Sequence, residues 1–146
     1  MNRSSVVCLV TILFWGATIL AQTENYKARL SPMPVENARA AASAGLGSAT
    51  ATLTGKTLTV KGSFEGMKAP PTIAQIHLGP RGIRGPVMFD LMVMKGDNGA
   101  GTLSGTFTLT PVQIEAVKSS RFYIQVHSEA AADGNLWGWL LPVEKN

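Results

Sequence analysis

The chain has 146 residues, a formal charge of +4 at neutral pH and one cysteine, Cys8. That length is one domain's worth, a single cysteine excludes an intrachain disulfide, and the basic residues form no Lys/Arg block of the kind that seeks nucleic acid. The serines lack a Gly-x-Ser-x-Gly elbow and the carboxylates have no acid/base spacing, so the chain reads as non-enzymatic, with no catalytic residue to name.

In chain order, Met1-Asn2-Arg3 precedes an apolar run from Val6 to Leu20, and Ala21-Gln22 opens the first densely polar stretch. A positive start, an apolar middle and a small boundary residue are the layout of a secretory signal peptide. The expectation is a cleaved leader over residues 1–21 and a single domain over 22–146, secreted or periplasmic. The alternative is retention as an anchor, because Ile19 is bulky for its place near the cut. The run is shorter than the roughly 20 apolar residues of a membrane span. Cleavage would remove Cys8 and Arg3, taking the formal charge from +4 to +3.

Tyr26 to Leu30 is expected as an edge strand, followed by Pro32, Pro34 and a short, irregular or briefly helical run from Ala38 to Ala44. From Ser48 the period becomes two. Ala49, Ala51 and Leu53 alternate with serine and threonine, Gly55-Lys56 turns the chain, and Leu58, Val60, Gly62 and Phe64 continue the alternation, which is a hairpin with one dry face. Ile73 to Leu78, Val87 to Val93, Leu103 to Leu109, Phe122 to Ser128 and Leu136 to Leu141 are further strands. Thr110-Pro111-Val112-Gln113 carries an N-cap, a proline at the first helical position and a capping-box glutamine, predicting a helix of two turns. Seven or eight short strands with one short helix predict an all-β fold, an antiparallel Greek-key β-sandwich or barrel.

Three stretches together resemble the CHRD domain, a module named after chordin and found also in secreted bacterial proteins. The first runs from Ala74 through His77, Gly79, Gly82 and Gly85 to Pro86-Val87. The second is Gly105 to Thr110 with Gln113, and the third is Arg121 to Ser128, including Tyr123 and His127, followed by Asp133-Gly134 and Gly138. Gln75 stands where the family has its first histidine, Ser128 where it has threonine, and Trp137 and Trp139 where it has arginine and glutamine. The resemblance spans Tyr26 to Pro142 and implies a secreted all-β binding or accessory module.

Within it, strand parity puts Gln75 with His77 on one face, and Tyr123, Gln125 and His127 on one face of the late strand, leaving Ile76, Phe122, Ile124 and Val126 for the core. Two readings follow. His77 and His127, the only histidines, could ligate Cu or Zn with help from Glu129 or Asp133; or they hydrogen-bond locally and hold the turn, with no cofactor. Trp137 and Trp139 share the face opposite Leu136 and Leu140, as a candidate surface for a protein or a sugar ring. The stretch His77 to Pro86 has too few glycine triplets for collagen and no following lysine and hydroxyl for a nucleotide loop. It reads as a loop between strands, with Arg81 and Arg84 as solvated charges available to an anionic partner.

Overall fold

In a computed structural model that describes residues 22–33 and 42–144, every regular element but one is a strand. They are β1 (Thr23–Pro32), β2 (Leu46–Thr54), β3 (Thr57–Glu65), β4 (Pro71–Leu78), β5 (Val87–Lys95), β6 (Gly101–Thr108), α1 (Pro111–Lys118), β7 (Phe122–Ser128), β8 (Ala131–Trp139) and β9 (Leu141–Pro142). The expected leader with Cys8 and most of the Ala38 to Ala44 run lie outside the described residues. No described helix is long and apolar enough to cross a membrane.

The strands follow the order β2-β3-β6-β5-β4-β7-β8-β1, and β1 pairs back onto β2, so eight antiparallel strands close into a barrel. Closure corrects the first expectation: Tyr26 to Leu30 is not an edge. β1 meets β2 from Thr23 to Leu30 on one side, and on the other it meets β9 at Tyr26 and Lys27 and β8 at Ser31 and Pro32. An open sheet would leave a row of unpaired amides at its first strand; a closed one has none to leave. The last strand is divided by the same closure. Trp139 ends β8, and Leu141-Pro142 pairs separately with β1.

The period-two pattern decides what lies inside. Tyr26, Ala28 and Leu30 are buried and Lys27 and Arg29 exposed on β1; Ala49, Ala51 and Leu53 point in from β2, and Leu58, Val60 and Phe64 from β3. Ile76, Phe122, Ile124, Val126, Leu136 and Leu140 complete the interior at 0% exposure each, which matches their predicted parity. At roughly 1.5–3 kcal/mol per fully buried large apolar side chain, this layer is the main favourable term of the fold.

The predicted helix forms where the capping box places it. Thr110 Oγ1 accepts from the Gln113 amide at 3.3 Å, and the Thr110 amide donates to Gln113 Oε1 at 2.8 Å. Pro111 costs nothing at the first helical position because its missing N–H has no intrahelical partner there. Ala116 and Val117 are buried, so α1 carries the chain from β6 to β7 while contributing to the core.

β7 departs from the alternation. All seven of its residues are buried, the outward Tyr123, Gln125 and His127 included. A barrel strand is dry on one face by construction; dryness on both requires a second layer outside. Leu30→Ala, at the strand that closes the barrel, is expected to lower stability by about 2–5 kcal/mol, read from urea unfolding with an unchanged slope.

Candidate functional site

The outer layer is built by register. β4, β7 and β8 lie side by side, so Gln75, Gln125 and Trp137 form one row across the sheet, and His77, Tyr123 and Trp139 the next. The rings pack on one another. Tyr123 stacks on His77 with centroids 5.0 Å apart and planes 19° apart, and Trp139 lies 4.8 Å from Tyr123 on its other neighbour. Trp137 meets Tyr123 edge-on at 6.1 Å and Trp139 at 4.7 Å. The two tryptophans share the outer face, as their parity predicts, but they are half-buried members of this layer rather than free-standing indoles.

The loop from Gly79 to Pro86 is fastened to that layer. His77 Nδ1–H donates to the Gly85 carbonyl at 2.9 Å, the Gly85 amide donates to Tyr123 Oη at 3.0 Å, and Trp139 Nε1–H donates to the Gly79 carbonyl at 3.0 Å. Backbone bonds Gly79 N to Arg121 O (2.8 Å) and Leu78 N to Pro86 O (3.0 Å) close its base. A Cβ on Gly85 would run into the Leu78 carbonyl, so no other residue fits this double clamp without moving backbone. Gly82, at the tip, has φ +80° and open space around it, so its requirement is conformational rather than steric. Two other family glycines are needed for close approach: a Cβ on Gly134 would meet Met33 Sδ and Gln125, and one on Gly138 would meet the Arg29 carbonyl.

The two histidines differ in their outer nitrogens. Each donates Nδ1–H to a carbonyl, His77 to Gly85 and His127 to Ala132 at 2.8 Å, which leaves a lone pair on each Nε2. The His127 lone pair accepts from the Gln125 amide at 3.3 Å, and the same amide nitrogen donates to the Asp133 carbonyl at 2.9 Å. His77 Nε2 is buried with no partner among the described residues. Burial lowers the His77 pKa below the usual imidazole value, the Gly85 carbonyl opposes this, and His127 nearby lowers it further. The ring is therefore neutral at pH 7.

Glu129 and Asp133, expected as auxiliary ligands, are exposed, and with Ser43 they line a shallow depression at the β7–β8 turn. Among the described residues no three His, Cys, Asp or Glu side chains gather as a metal cluster. Gln75 is turned aside, its amide donating to Asp90 Oδ1 at 2.8 Å. The sequence reading missed Asn135. Its side chain is fully buried, accepts from Ser128 Oγ at 3.2 Å and donates to the Ala44 carbonyl at 2.6 Å, tying the long β1–β2 connection to the β7–β8 pair. The only signal was a polar residue interrupting an apolar strand beside Asp133-Gly134.

The fold and the site together define an all-β class of domain, a closed antiparallel barrel with a loop clamped onto an outer aromatic layer. The CHRD domain family model matches residues 26–140, and the chain belongs to that family, whose domains are of the extracellular, binding type. No curated protein and no solved structure matches it.

Two outcomes are expected from the clamp. Tyr123→Phe leaves the Gly85 amide without its acceptor and should cost about 1–3 kcal/mol, with faster amide exchange at Gly85 by NMR. Because the folded pKa of His77 lies below its unfolded value of 6.5, the unfolded chain binds the extra proton first as pH falls. Stability held above pH 6.5 should be lost below it until the folded pKa is reached, and His77→Asn should flatten that slope in pH-dependent urea titrations.

Proposed function

We propose that this is an exported, non-enzymatic CHRD module that docks an acidic protein partner through the tip of the Gly79 to Pro86 loop. The observation that carries this reading is a contrast within ten residues. The backbone of the loop is held at both ends by His77, Tyr123 and Trp139, yet its tip presents Arg81, Ile83 and Arg84 outward, with Ile83 59% exposed. A large aliphatic side chain between two guanidinium groups, on backbone already ordered, is a contact surface whose ordering cost is met before binding. Arginine also forms the bidentate, weakly hydrated pairs that protein interfaces favour. Neither arginine forms an ion pair with another described residue.

The role of Trp137 and Trp139 changes accordingly. With one indole N–H committed to Gly79 and both rings packed on Tyr123, they support the loop, and the sugar-binding reading has no observation of its own. The net charge, +3 after loss of the leader, adds modest attraction toward an anionic surface.

A photo-crosslinking residue at position 83 should yield a discrete protein adduct in the chain's own extracellular milieu, whereas the same residue at Lys61, on β3, should not. The adduct should disappear in Arg81→Glu/Arg84→Glu, with thermal midpoint unchanged. An adduct that survives charge reversal rejects the docking surface; strong signals on a glycan array that vanish in Trp137→Ala would put the sugar reading in its place.

A further inference from the structure

We infer that His77 and His127 form a two-imidazole site for monovalent copper, buried in the outer aromatic layer and spatially distinct from the exposed tip of the loop that His77 helps to hold. Four observations converge on it. His77 is 7% and His127 8% exposed, so both rings are out of bulk water. In each, Nδ1–H is fixed by a backbone carbonyl, the support that orients a metal-binding imidazole and presents the opposite nitrogen. His77 Nε2 is a buried acceptor with no partner, a condition that costs about 1–3 kcal/mol and calls for an occupant. The ring centroids are 6.4 Å apart. With metal–imidazole bonds of about 2.0–2.1 Å, two rings joined nearly in line through one ion have centres roughly 6.3 Å apart.

The donor count selects the ion. Zinc takes four ligands, or three and a water, and no third His, Cys, Asp or Glu joins the pair among the described residues. Monovalent copper has a filled d shell, is satisfied by two imidazoles in line, and carries a single charge, which lowers the cost of a dry site. Imidazole suits copper, and the Tyr123 ring stacked on His77 adds an aromatic face beside the pair. Entry requires Gln125 to release His127 Nε2. That bond is long, 3.3 Å, and the amide keeps its shorter one to the Asp133 carbonyl.

The test is competition between the full chain and bicinchoninate for Cu(I), without oxygen and with ascorbate present. One ion per chain is expected. His77→Asn and His127→Asn keep a side-chain N–H near the Nδ1 position for the supporting carbonyl but lack Nε2. Each should weaken binding by more than the roughly 10- to 100-fold that disturbing a supporting residue costs. Met92→Leu/Met94→Leu, which removes the exposed thioethers of β5, should leave the affinity unchanged. Since Cu(I) is diamagnetic, imidazole ¹⁵N spectra of the wild-type chain give a readout that needs no variant: both Nε2 signals should move together while both Nδ1 signals stay. Absence of stoichiometric Cu(I) binding, full affinity in either histidine variant, loss of affinity in the methionine variant, or movement of one Nε2 alone overturns the site.

Discussion

Burial of β7 on both faces is the constraint around which the molecule is organised. Its inner face, Phe122, Ile124 and Val126, is ordinary barrel core. Its outer face carries a phenol, an amide and an imidazole, none of which can be dried without hydrogen-bond partners. Tyr123 finds the Gly85 amide, Gln125 the Asp133 carbonyl, and His127 the Ala132 carbonyl. Each partner is backbone from a loop or an irregular strand start that would otherwise have little to hold it. The polar groups of one strand thus specify the conformation of two segments, and the aromatic rings keep water from competing for those bonds.

This accounts for features that look unrelated in the sequence. Gly85 must be glycine because a hydroxyl and an imidazole approach its peptide from both sides while the Leu78 carbonyl fills the place of a side chain. Gly134 is required because Gln125 and Met33 occupy the space above it. The loop clamp therefore constrains the sequence more tightly than the barrel beneath it. A β-barrel interior accepts many apolar sets of similar volume; a peptide clamped at both its N–H and its C=O accepts very few alternatives.

Much of the barrel was legible because burial on one face writes a period of two into the chain. Ala49 to Leu53, Leu58 to Phe64 and Phe122 to Val126 each announced their inward side, and Thr110 with Gln113 announced the helix through a bond pattern local to four residues. What failed to show was closure. Tyr26 to Leu30 looked like an edge because nothing in its own residues says that Leu141 and Pro142 will lie beside it. The histidines were visible as a pair, and their neighbouring face was assigned correctly. That Glu129 and Asp133 would sit in the solvent, and that Asn135 would lie buried beneath Ala44, depended on the register shift at Val126 to Ser128, which one sequence does not encode locally.

Closure also has a consequence in time. β1 is the first strand of the barrel, yet its partners on one flank are β8 and β9, the last to be made. Pairs such as β2–β3 and β1–β2 can form from near neighbours, but the other flank of the first strand needs the far end of the chain, a search across more than a hundred positions that slows folding through loop-closure entropy. The seam that completes the barrel thus joins strands from opposite ends of the described chain.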